Sequence, residues 1–119
     1  MERKPATSFR DLIVWRKAHE LVLSIYQITK SFPKEETYGI VSQIRRSSSS
    51  VAANIAEAFK KKSSLDKLRI LNIAQGSLSE TEYFILLAGD LQYMNSENLQ
   101  GDVESVSKLL EGYMKAIRK

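Results

Sequence analysis

Seven cations dominate the chemistry this chain could carry: Arg45, Arg46, Lys60, Lys61, Lys62, Lys67 and Arg69. Guanidinium and ammonium groups at this density are suited to phosphate oxygens, which they meet as forked donors or point charges. Lys60-Lys61-Lys62 stands just before an apolar, helix-periodic stretch, so free backbone amides and the helix dipole would add positive potential there. The alternative is a solvated charged turn with no ligand. A second group, Asn54 and Glu80, consists of polar side chains in rows that are otherwise apolar. A buried carboxylate is costly without a partner. Glu80 is therefore expected to be at least half-buried and paired with Arg45 or Arg46, with Asn54 nearby and about 3 kcal/mol lost on Glu80→Ala. If Glu80 sits at the edge of its row, it reaches water instead.

Other chemistry is missing its residue types. The chain has one histidine, His19, and no cysteine, which rules out histidine clusters, thiolate metal sites, disulfides and thiol nucleophiles. The paired Glu-x-x-His motifs of di-iron bundles are absent. Arg16 is too close to His19, and Arg10 too far, for ribonuclease motifs that place histidine four to six residues after arginine. There is no Walker loop and no GxGxxG. The many serines have no histidine near them in sequence as a general base. The composition predicts neither an enzyme nor a cofactor site.

The positive charge is uneven. Residues 1–40 hold seven basic and five acidic side chains, residues 41–80 seven and three, and residues 81–119 four and six. The net +4 therefore peaks mid-chain and points to a polyanionic partner, with ordinary solubility as the alternative.

These residues are positioned by four segments with helical spacing. Val14, Ala18, Leu21, Ile25, Ile28 and Phe32 make the first seam, with Trp15, Val22 and Tyr26 beside it. Ser8 is its expected N-cap, with Asp11 three residues on, and Pro33 its stop. Ile40, Ile44, Ser47, Val51, Asn54 and Ala58 make the second seam, running unbroken through Arg45-Arg46-Ser47-Ser48-Ser49-Ser50. A linker would lose the period there, so a helix is predicted from about Glu35 to about Lys60. Small side chains there would let a neighbouring helix approach closely. The third segment opens at Ser63 with Asp66 as a capping pair and carries two seams: Leu71, Ala74, Leu78, Thr81, Ile85 and Ala88, and beside it Ile70, Ile73, Ser77, Glu80, Phe84, Leu87 and Leu91. It is expected to be the most buried helix and to run to about Gln92, with Gly76 and Gly89 at close contacts. Leu99, Val103, Val106, Leu110, Tyr113 and Ile117 make the fourth seam, capped by Asn95 or Ser96.

Strand-like alternation is absent and the connections are short. The predicted fold is all-α, an antiparallel up-down-up-down four-helix bundle formed as a single domain over residues 1–119, with residues 1–8 as a disordered tail. The N-terminus lacks the apolar core of a secretory signal, and no run is long enough to span a membrane, so a cytoplasmic location is expected.

The stretches FRDLIVWRKAHELVLSIY, SFPKEETYGIVSQIRRSSSSVAANIAEAF and LRILNIAQGSLSETEYFILLAGDLQYM resemble the four-helix-bundle family encoded in intervening sequences of bacterial large-subunit ribosomal RNA. The resemblance runs from about Phe9 into the last helix. SQIRRSSSSVAANIAEA, with GSLSETE at a fixed distance, is its most specific part. Where the family pattern has proline, this chain has Ala52 or Ala53, and where it has glycine, Ala58; both departures favour a straighter second helix. The resemblance implies a small bacterial cytoplasmic protein that assembles as a homopentamer. It also implies kinship of fold with the accessory variability determinant of diversity-generating retroelements, a pentameric basic barrel that binds a reverse transcriptase and nucleic acid. It supplies no catalytic activity, cofactor or site residues. The function expected from charge and resemblance together is non-enzymatic, oligomeric nucleic-acid binding, with RNA favoured. A protein-interaction or scaffold module is the alternative.

Overall fold

The computed structural model describes residues 5–119. Its elements are α1 (Ile13–Thr29), α2 (Ile40–Lys60), α3 (Ser64–Asp90) and α4 (Glu97–Arg118), with single 3-10 turns at Phe9–Asp11 and Lys34–Glu36. α1 packs on α2 and α4, and α3 packs on the same two, so the helices stand at the corners of a square and alternate in direction. The fold is the four-helix bundle that the spacing predicts.

The core is drawn mainly from the predicted seams, though in α2 Ile55 is buried while its neighbour in the seam, Asn54, is only partly covered. Val14, Ala18, Leu21 and Ile25 of α1, Ile44, Val51 and Ile55 of α2, the row Leu71 to Ala88 of α3, and Leu99, Val103, Val106 and Leu110 of α4 are buried. The serine run is helix, and its use is visible at the α2–α3 contact. Ser47 and Thr81 are fully buried with their hydroxyls 2.8 Å apart. One turn on, the Ser50 and Ser77 hydroxyls are 2.9 Å apart. Small side chains bring the two helices together, and their hydroxyls satisfy one another and the preceding turn. Every buried side-chain polar atom among the described residues has a partner.

Several boundaries differ from the sequence expectation. Ser8 caps the Phe9–Asp11 turn, with a reciprocal bond from its own amide to Asp11, and Leu12 is extended before α1 begins at Ile13. The break folds Phe9 back onto Trp15, ring centroids 4.9 Å apart, and packs Leu12 on the core. Of the proposed tail, residues 1–4 lie outside the described residues, while the Thr7 and Ser8 amides donate to the Asp11 carboxylate. α2 begins at Ile40, not near Glu35. Glu36 folds over Gly39 to accept the Ile40 amide at 3.2 Å, and a Cβ on Gly39 would meet that carboxylate at 2.5 Å. Gly89 is a close approach to Ser96, but Gly76 faces open space, contrary to expectation. α3 stops at Asp90, where Gln92 takes a left-handed φ of 63° and the Tyr93 amide bonds back to the Ala88 carbonyl. Asn95 supplies the side-chain oxygen for α4, accepting the Glu97 amide at 3.0 Å.

The second seam of α3 is the larger departure. Ile70 is buried, but Ile73 and Leu91 are about half exposed, and Phe84 and Leu87 are only partly covered. α2, with nine buried residues to seven in the longer α3, is the more buried helix. Apolar spacing identifies a face that avoids water; it does not say that this chain alone covers it.

Candidate nucleic-acid interface

The antiparallel topology divides the seven sequence-predicted cations between two places. Arg46 and Lys60 are fourteen residues apart on α2, about 21 Å along the helix axis. Arg45 and Arg46 therefore belong to the end where α1 stops and α2 begins, and Lys60, Lys61, Lys62, Lys67 and Arg69 to the opposite end.

Both arginines are engaged within the chain. Arg45 donates from Nε to Thr29 Oγ1 at 3.0 Å and from Nη2 to the Tyr26 carbonyl at 3.3 Å, with its guanidinium 4.5 Å from the Tyr26 ring centre. It closes the C-terminal turn of α1, where carbonyls lack helical partners. Arg46 bonds Gln43 and forms an ion pair with Glu80. Glu80 is more than half buried, with 39% of its side chain in solvent, and paired with Arg46 as expected, while Arg46 keeps 57% exposed, so the pair stays open to water on one side. Asn54 is not part of it: eight residues further along α2, its amide donates to the carbonyl and hydroxyl of Ser50 at 2.8 and 3.0 Å. Asn54 extends the hydroxyl row between α2 and α3, a grouping for which sequence offered only proximity in the seam.

At the other end, Lys67 folds back to donate to the carbonyls of Ala58 and Phe59 at 3.2 and 2.9 Å, capping the C-terminus of α2 with a cation. Lys60, Lys61, Lys62 and Arg69 make no ion pair or side-chain hydrogen bond among the described residues. The same holds for Arg10, Arg16 and Lys115, which the fold brings to this end from the start of α1 and the close of α4. The sequence search left Arg10 and Lys115 out. Their signal is topological: an up-down-up-down bundle places the first turns of α1 and the last turns of α4 beside the α2–α3 turn.

The result is a molecule sorted by charge along its length. The half containing residues 5–21, 50–77 and 108–119 carries twelve lysines and arginines against five carboxylates. The half containing residues 22–49 and 78–107 carries four against eight. Between Arg69 and Lys108 there are six carboxylates and no lysine or arginine. A groove of about 690 Å³ between α3 and α4, with Glu82, Glu97 and Glu104 at its walls, lies in that acidic half and has the wrong sign for phosphate.

Two perturbed groups mark how the ends are fastened. The Thr7 and Ser8 amides and the Thr7 hydroxyl hold the Asp11 carboxyl below the usual carboxylate range. The hydrogen bond from Tyr93 to Glu36, 2.7 Å, raises the phenol at the other end. No set of three or more histidine, cysteine, aspartate or glutamate side chains that could hold a metal occurs among the described residues. No helix among them is long and apolar enough to cross a membrane.

Comparison with known proteins bears on this arrangement. No curated protein matches the chain. A solved structure from Bacteroides thetaiotaomicron VPI-5482, described as a protein with unknown function from the S23 ribosomal protein family, superposes with a TM-score of 0.79. It is 32% identical in sequence, over 87% of this chain and 96% of that one. The model of the 23S rRNA-intervening sequence protein family matches residues 10–112, which takes in all of α1, α2 and α3 and most of α4. With family model and fold in agreement over nearly the whole chain, the protein belongs to the 23S rRNA-intervening sequence protein family.

Proposed function

We propose that this is a non-enzymatic, oligomeric nucleic-acid-binding protein of the bacterial cytoplasm that engages structured RNA through the basic end of the bundle. The observation that carries the reading is the separation of charge, with cations from all four helices or their turns, free of ion pairs among the described residues, collected at one end. Such a surface draws in polyanions over distances beyond direct contact and holds them through phosphates. Lys60, Lys61, Lys62 and Arg69 remain the leading contacts, joined by Arg10, Arg16 and Lys115. Arg45, Arg46 and Lys67 serve mainly to hold the bundle together.

The outer strip of α3 supports self-association. Leu65, Ile73, Tyr83 and Leu91 are exposed by 45% or more along it, and Phe84 and Leu87 lie between them. A cyclic homopentamer would cover this strip and raise the net charge from +4 to about +20. The same strip favours a second reading, a scaffold that holds a protein partner, such as a reverse transcriptase, with no nucleic-acid role. Light scattering at micromolar concentration is expected to give five times the chain mass, and a monomer would reject the ring.

Replacing Lys60, Lys61 and Lys62 together with glutamine tests the binding. Affinity for all RNA sequences is expected to fall about tenfold or more at low salt. The log–log salt slope should flatten by up to about 0.7 to 0.9 per lost phosphate contact. The thermal midpoint should stay put, because exposed charges contribute little to stability. A triple variant that binds RNA as the parent does at low and high salt would transfer the case to the scaffold.

A further inference from the structure

The basic end carries more than charge. The chain has one tryptophan and one histidine, and they are stacked: the rings of Trp15 and His19 are 4.9 Å apart and inclined by 10°. Phe9 meets Trp15 edge-on at 4.9 Å, and the Arg10 guanidinium lies 5.4 Å from the Phe9 ring. The three rings form a connected run, and each keeps part of its surface in solvent. The Phe9–Asp11 turn that places the first ring touches α2 as well as α1, so the run borders the side of the bundle from which Lys60 to Lys62 emerge. Further along the same face of α1, Tyr26 is 41% exposed with the Arg45 guanidinium against it.

Trp15 packs against the core from one side, yet none of the three rings is buried in it. The buried seam of α1 is Val14, Ala18, Leu21 and Ile25, and the aromatic line runs beside it. Flat π surfaces among cations are what unpaired nucleotides stack on, and paired bases have no free face to offer them. We propose that the Phe9–Trp15–His19 run is a stacking site for unpaired bases, so that the basic end takes loops, bulges or single strands in preference to continuous duplex. The proposal rests on the nucleic-acid reading above and adds the substrate class to it. Cations hold the backbone, and the rings choose strands whose bases are free.

The tryptophan is its own probe. The full chain is titrated, with Trp15 emission recorded, against two RNAs of equal length and charge: a hairpin with a wide unpaired loop and a blunt, fully paired duplex. The hairpin is expected to quench Trp15 and to bind about tenfold more tightly than the duplex. His19→Ala, and separately Phe9→Ala, should remove most of that preference while leaving the salt slope unchanged, because stacking releases no counterions. Circular dichroism and the thermal midpoint identify a variant that has lost its fold, and His19→Phe, which restores a ring, should recover the preference. Equal binding of both RNAs without quenching overturns the stacking site and leaves the phosphate surface standing. No binding of either RNA at low salt overturns the nucleic-acid reading itself, and the stacking site with it.

Discussion

Where α1 ends and α2 begins, both arginines are held inside the chain; at the opposite end most lysines and arginines make no ion pair among the described residues. Arg45 holds the last turn of α1, Arg46 pairs with Glu80, and Glu36 joins the first amide of α2 to Tyr93 beyond α3. At the other end Lys67 closes α2, and Lys17, Lys108 and Arg118 pair with carboxylates, but Lys60, Lys61, Lys62, Arg69, Arg10, Arg16 and Lys115 make no ion pair among the described residues. Both ends contain arginine, lysine and carboxylates, but in opposite balance, and composition is only part of the difference. The geometry of the partners is the rest. A cation that satisfies a helix terminus stabilises the bundle, and a cation without a partner in the chain is, on the proposed function, one available to an outside anion.

The two ends should therefore respond differently to substitution. The largest effect on stability is expected from Arg45→Ala. It removes two charge-assisted hydrogen bonds and a cation–π contact and leaves the α1 terminus short of donors, at about 2 kcal/mol by denaturant unfolding. RNA affinity should barely move. If Arg45→Ala weakens RNA binding as strongly as the lysine variant without loosening the fold, the two-ended picture fails. Lys67→Met should cost about 1 kcal/mol, since it takes a cation from the carbonyls that close α2. Its effect on binding should be smaller than that of any one of Lys60, Lys61 or Lys62.

Glu80→Ala comes next, at less than about 1 kcal/mol, because its pair with Arg46 is close to half exposed and screened. The figure of about 3 kcal/mol expected from sequence belongs to a fully buried pair and does not apply here. A loss above 2 kcal/mol on the thermal or urea curve would restore the buried-pair view.

The smallest effects are local and depend on pH. Asp11 has a depressed carboxyl in the folded chain. Its contribution is present above the unfolded value and is lost as pH falls through the folded one, below about pH 4. The Thr7 and Ser8 amide resonances should shift together across that window while α1 stays helical. Tyr93 has a raised phenol, so its contribution is complete below the unfolded value and is lost as pH climbs through the folded one, above about pH 10. Amides at the start of α2 should then exchange faster, and Tyr93→Phe should abolish the change.

Much of the fold was legible because the bundle is built from repeats of spacing. The row from Val14 to Ile25 and the row from Leu71 to Ala88 each identified a buried face correctly. Met114, buried in the last turns of α4, was passed over for Tyr113 and Ile117, which sit at the edge of the same face. The second row of α3 misled because apolar character records avoidance of water and not the identity of the cover. The site was legible in residue type but not in grouping. Nothing in the letters Arg45-Arg46 says that one side chain turns toward α1 and the other toward α3, since that depends on a rotation of about 100° between neighbours on a helix. Trp15 and His19 are four apart, so their contact could have been read from helical spacing. The part played by Phe9 could not, because it requires the break at Leu12.

The hydroxyl row between α2 and α3 bears on how this sequence can drift. Thr81 can bond either Ser47 or the Ser77 carbonyl, 2.8 Å away in each case, so losing the Ser47 hydroxyl strands no group. Ser47 has no exposed surface, so a larger side chain there has nowhere to go. A saturation scan would therefore sort substitutions at position 47 by volume and hardly at all by polarity. Alanine and glycine should survive, while valine, leucine and asparagine should be eliminated together.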